Sequence, residues 1–251
     1  MGRCSARPGP DRRPGCGPAA GCGGGKNFLA SGGDIFEQKK GRGVTEGEIA
    51  ALFTRGDGSY LCARWGRPIV PVVFGVEAPT LAVVKGALEA VCALAGHRMA
   101  DHDPELGVNL MVFFARDWDE LRGVPNLDRL VPDLFPLLDR LEAAGANQYR
   151  IFRFDPGGAI RAAFVFIVMD ADLSAVPAEV LALVQAVQTI LLWSDRAFLG
   201  ISPLADAGGG RVILRPEIGG VIRAAYDPVL PGVARDPAHA MRLAARVGRD
   251  A

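Results

Sequence analysis

The chain has 251 residues, 49% of them apolar and 22% charged, which is the usual composition of a globular protein with room for one large core. Its 28 basic and 28 acidic side chains cancel, but residues 1–43 hold 8 Lys/Arg against 3 Asp/Glu, leaving 20 against 25 in the remainder. A mildly acidic body without basic runs argues against nucleic acid as the main partner, because duplex binding needs several cations to displace phosphate counterions.

Residues 1–43 contain 12 Gly and 4 Pro and show neither helical nor strand periodicity, so a disordered tail is expected there. Gly23-Gly24-Gly25-Lys26 is no phosphate loop: Ala20 stands where its first glycine belongs and Asn27 where Ser or Thr belongs. Lys39-Lys40-Gly41 followed by Val44 offers a second reading, in which purine-rich codons precede a GUG start and residues 1–43 are upstream sequence. Under either reading, residues 44–251 form a single domain.

Residues 45–53 read as a short amphipathic helix, 55–59 as a turn, and 60–65 as a strand. A β-branched run over 68–76 follows, placed at a sheet edge by Pro71. Leu81, Val84, Leu88, Val91 and Ala95 recur at helical spacing over 79–95, with Gly96 as the stop. The apolar run 108–114 predicts a buried strand, 117–120 a polar loop or helical turn, and 134–144 a helix capped by Asp133. Two strand-like runs, 149–154 and 160–169, flank Asp155-Pro156-Gly157-Gly158 and predict a hairpin. A helix over 175–193 carries apolar residues on more than one side and is expected to be central. A glycine loop at 208–210, a short strand at 212–214, a helix over 216–226 and a last arginine-rich helix from Pro237, capped by Asp236, complete the chain. No internal repeat and no sustained βαβ rhythm is present. The expected fold is α+β: a mixed or antiparallel sheet with a β-hairpin packed on a central buried helix.

Chemistry-bearing residues are sparse. Five cysteines without regular spacing do not form a disulfide framework, and Cys62 and Cys92 read as small buried hydrophobes. Of the three histidines, His97 and His102 sit with Asp101 and Asp103 in one loop and are weak metal-ligand candidates, and His239 reads as a surface residue. Gly200-Ile201-Ser202 begins a nucleophile turn but Leu204 replaces its last glycine, and the Asp170/Asp172 pair reads as a capping loop. Trp118 and the hairpin arginines Arg150, Arg153 and Arg161 are candidate docking residues. No catalytic residue, cofactor or metal is assigned. No segment reaches the roughly 18 to 20 apolar residues of a membrane span, the longest candidate being 180–193, and no secretory signal is visible, so a cytoplasmic location is expected.

Arg64-Trp65 before Pro68-Ile69, Asn109-Leu110 opening an apolar strand, Gln188 in a helix ending at Ser194-Asp195, and Val221-Ile222-Arg223-Ala224-Ala225-Tyr226-Asp227-Pro228 together resemble the proteobacterial family called domain of unknown function 2927. The resemblance spans about residues 60–231. It implies a zincin-like central helix, in a family whose members often look like exported lipoproteins. A zincin helix places two histidines four residues apart on one metal with Glu between them as general base. The matching positions here are Val184 and Gln188 for the ligands and Gln185 for the base, so the resemblance implies a scaffold without zinc chemistry. The expected function is a non-catalytic domain that binds a protein or peptide partner, with Trp118, Gln185, Gln188 and Arg150 as binding residues. The competing expectation is a hydrolase with a carboxylate or His97/His102 site.

Overall fold

The computed structural model describes residues 20–22 and 44–248. The expectation made for residues 1–43 lies outside the described residues except at β1 (Ala20–Cys22). The body begins with α1 (Glu46–Phe53), started by a reciprocal cap in which the Glu48 N–H donates to Thr45 Oγ1 and the Thr45 N–H to Glu48 Oε2. The predicted strand at 60–65 is reduced to β2 (Cys62–Ala63), which pairs antiparallel with β9 (Val233–Ala234) near the C-terminus.

Then come β3 (Pro71–Phe74), α2 (Ala78–Ala95), β4 (Leu110–Ala115), the short helices α3 (Trp118–Arg122) and α4 (Leu127–Leu130), and α5 (Leu134–Ala143). The hairpin strands β5 (Gln148–Phe154) and β6 (Ile160–Val168) lead through α6 (Ala171–Ser174) into the central helix α7 (Ala178–Ile190). A small hairpin, β7 (Leu204–Asp206) and β8 (Val212–Leu214), precedes α8 (Pro216–Ala225), β9 and α9 (Ala238–Val247).

The main sheet has the order β1-β5-β6-β4-β3. Strands β3, β4 and β6 are parallel, β5 runs antiparallel to β6, and β1 runs antiparallel to β5. The α+β expectation therefore holds, together with the 155–158 hairpin turn and the edge position that Pro71 gives β3. The parallel unit β3-α2-β4 was not expected, because the irregular stretch between Gly96 and Leu110 hides its rhythm. Alternation along the strands divides the apolar residues between two cores. Leu110, Val112, Phe152, Val165 and Ile167 pack toward α2, α7 and α8, whereas Phe113, Ile151, Phe164 and Phe166 pack toward α3 and α5. Strand β6 is thus buried on both faces.

Three details differ from the sequence reading, although α5 starts at Leu134 as expected. Helix α7 is shorter than 175–193, because the chain turns extended at Leu191 and the Leu192 N–H donates to the Ala63 carbonyl, exchanging a helical bond for one to β2. Asp133 stands at the N-cap of α5 in a left-handed conformation and makes no side-chain cap bond. Helix α4 was not expected: its cap position, Asn126, is also left-handed and its side chain accepts no cap bond. Helix α2, at 18 residues, is long and apolar enough by length and composition to cross a membrane, which the sequence reading had excluded for every segment. In this fold its Val84, Leu88 and Val91 are core residues beside α7.

Gly75 ends β3 at φ 79°, and a Cβ built there would stand 1.9 Å from the Phe114 carbonyl oxygen. The strand leaves the sheet over that backbone, and only glycine fits. Gly75→Ala is expected to lower unfolding stability by about 3 kcal/mol or more, combining left-handed strain with a backbone clash. Urea denaturation measures it, and a change below about 0.5 kcal/mol contradicts this account of the turn.

Candidate functional site

The second half of helix α7 is enclosed in the protein. From Val184 to Ile190 each residue is buried, so its polar groups must find partners inside the protein. At its C-terminus three aromatic side chains satisfy carbonyls that a helix end leaves without intrahelical partners. The Trp193 indole N–H donates to the Val187 carbonyl at 2.8 Å, the Trp65 indole to Thr189 at 2.9 Å, and the Tyr226 hydroxyl to Ile190 at 2.8 Å. Arg64 caps the end of α8 through the carbonyls of Ala225, Asp227 and Leu230 and lies 5.6 Å from the Tyr226 ring centroid. Asn109 accepts from the Val70 N–H and donates to the Pro68 carbonyl and Asp103, while the Ser194 N–H donates to the Leu52 carbonyl. Residues quoted for the family resemblance thus form helix-end clamps and strand pins.

Toward the middle of α7, Gln185 meets strand β5. The Arg150 guanidinium donates to Gln185 Oε1 at 2.5 Å and to Gln148 Oε1 at 3.1 Å, and Gln185 Nε2 donates to Gln148 Oε1 at 2.9 Å. All three residues are at least nine-tenths buried. Their meeting follows from strand geometry: Gln148, Arg150 and Phe152 alternate onto the face that α7 covers. A buried guanidinium costs several kcal/mol unless its N–H groups are accepted, and here two amide oxygens supply acceptors. Neither amide can take up a proton at neutral pH, so the triad can orient and bind but cannot serve as a general base. Gln188, one turn further along α7, is also buried, and its Oε1 has no hydrogen-bond partner among the described residues. Val184 lies in apolar packing at 1% exposure.

The sequence reading named Arg150, Gln185 and Gln188; the structure joins the first two and adds Gln148. Gln148 was missed because it lies one residue before the predicted strand. Its signal was the alternation Gln148-x-Arg150-x-Phe152, which puts a second polar side chain on the inner face. Trp118 does not belong with them. It is 5% exposed, donates its indole N–H to the Ala146 carbonyl at 2.9 Å and packs in the core on the opposite face of the sheet, so it is a wall of that core and not an exposed platform.

The histidine loop does not converge either. His97 Nε2 bonds the Arg67 carbonyl and its ring lies against Tyr226, while His102 is exposed. Asp103 is engaged by Arg67, Asn109 and the N–H groups of Glu105 and Leu106. Burial alone would raise its pKa, but these donors outweigh burial and hold it at about 2. Among the described residues no group of three or more His, Cys, Asp or Glu side chains could hold a metal ion. Arg153 and Arg161 are tied to the Leu130 carbonyl and to Glu105. His239, expected at the surface, is 5% exposed, with Nδ1 3.0 Å from the Tyr60 hydroxyl, because α9 packs its apolar face on α1. Burial lowers its pKa, and Arg242, Arg246 and Arg64 lower it further. His97 is lowered as well, chiefly by burial.

Two predictions follow from this geometry. Gln185→Met removes an acceptor from a buried cation and should cost about 2–3 kcal/mol, whereas Gln188→Met removes an acceptor that has no partner and should be neutral or stabilising by up to about 1 kcal/mol. Denaturant titration of both variants checks this, and equal losses contradict it. Both histidines hold folded-state pKa values below the ordinary 6.5, so the unfolded chain binds more protons as pH drops. Stability is then full above about 6.5 and declines as pH falls through the depressed values. Melting temperature measured from pH 7.5 to 5 should drop, and His239→Gln should flatten part of the slope; an unchanged profile contradicts the assignment. Compared with family models, curated proteins and solved structures, the chain matches none, so the functional reading rests on this geometry.

Proposed function

We propose that the protein is a non-catalytic α+β domain that binds a protein or peptide partner as an extended strand along the outer edge of β5. One observation carries the reading: β5 pairs with β6 on one side only, and its other side is joined antiparallel by three residues, Ala20–Cys22, distant in sequence. The Val168 N–H donates to the Asn147 carbonyl, so alternate residues beginning at Asn147 turn their backbone polar groups toward β6. Gln148, Arg150 and Phe152 therefore turn theirs outward, a row of donors and acceptors suited to strand addition.

Beneath this edge, the Arg150–Gln185–Gln148 triad stiffens the contact between strand and helix. The same arrangement supports the zincin-like part of the reading. An antiparallel strand beside the parallel part of the sheet faces the helix that follows β6, and that helix carries Val184, Gln185 and Gln188 where a metallohydrolase would carry ligands and base. Valine cannot ligate a metal, and glutamine cannot act as the base. A cytoplasmic location belongs to the same proposal.

A pool of random ten-residue synthetic peptides supplies the test. Peptides retained by the protein should lose at least tenfold in affinity when N-methylated at alternate residues, because a pairing strand presents N–H groups to β5 at every second position. A pool without binders, or binders indifferent to N-methylation, contradicts strand addition. Stoichiometric zinc or iron that disappears on His97→Ala/His102→Ala would contradict the non-catalytic assignment.

A further inference from the structure

The antiparallel register places Ala20 opposite Phe152, Gly21 opposite Ile151 and Cys22 opposite Arg150. Ala20 and Cys22 thus oppose Phe152 and Arg150, two of the three β5 residues whose backbone groups turn away from β6. We propose that Ala20–Cys22 is a resident strand that occupies the β5 edge in cis, so that an extended partner binds only by displacing it. This inference rests on the reading of β5 as the partner edge.

The chemistry of the segment suits a displaceable occupant. Ala-Gly-Cys followed by Gly23-Gly24-Gly25 is poor in the β-branched and aromatic residues that stabilise strands, and glycine weakens a strand further. Three residues offer little intrinsic affinity. Attachment to the same chain supplies the rest, since pairing within one chain acts at an effective concentration on the order of millimolar. A partner strand with stronger side-chain pairing outcompetes such an occupant, whereas weak or accidental strands do not. The resident strand would also shield an open edge from pairing with other copies.

The test compares the full-length chain with the double variant Ala20→Pro/Cys22→Pro. Both substitutions remove backbone N–H donors facing β5. Hydrogen exchange at the Arg150 and Phe152 amides should become at least tenfold faster in the variant, with the Val165 amide in β6 unchanged. The random decapeptide pool should be retained at least tenfold more strongly by the variant. Equal exchange and equal retention by both proteins overturn the resident strand while leaving β5 a binding edge. Faster exchange with no peptide retained by either protein overturns the partner-edge reading, and competitive displacement with it.

Discussion

Burial of helix α7 is the constraint around which this fold is arranged. A helix end leaves several carbonyls without partners, and an end enclosed in protein cannot pass them to water. Trp193, Trp65 and Tyr226 are recruited from three separate parts of the chain to donate to Val187, Thr189 and Ile190 respectively. Halfway along, the same constraint applies to Gln185, which has to be met by polar groups from the sheet. Arg150 and Gln148 meet it. The position of β5, the path of the segment around Arg64, and the packing of α8 against the core all serve these contacts.

This arrangement changes the meaning of the polar residues on α7. Met in the sequence, two glutamines on a central helix at the spacing of a catalytic motif suggest a site that has lost its reactive groups. Met in the structure, Gln185 is one corner of a closed triangle with Arg150 and Gln148, and Gln188 has a buried oxygen that nothing among the described residues engages. Side chains facing α7 hold β5 in place, and on its other edge the strand pairs with Ala20–Cys22.

Much of the fold could be read from periodicity and turn chemistry. The spacing of Val84, Leu88 and Val91 gave α2, Gly96 gave its stop at φ 63°, and Asp155 to Gly158 gave the hairpin. What failed had physical causes. The end of α7 was overrun because Leu191 to Trp193 are as apolar as the helix, and their extended conformation is set by pairing with Ala63 and Arg64, a tertiary effect. Trp118 and His239 were misplaced because an aromatic between acids, or a histidine beside arginines, looks exposed until a distant carbonyl or hydroxyl is found for it. The Gln148 contribution required knowing which face of β5 turns inward.

The account depends on Gln185 and Arg150 acting as one structural contact across the helix–strand boundary. A double-mutant cycle on Arg150→Met and Gln185→Met measures that directly. The account predicts a coupling of about 1.5 kcal/mol or more, because each single variant takes away the partner of the other side chain's buried polar group, whereas the double variant removes both groups together and leaves only Gln148 to be met. Additive losses, with coupling below about 0.3 kcal/mol, would show that the two side chains do not depend on each other and would contradict the central claim.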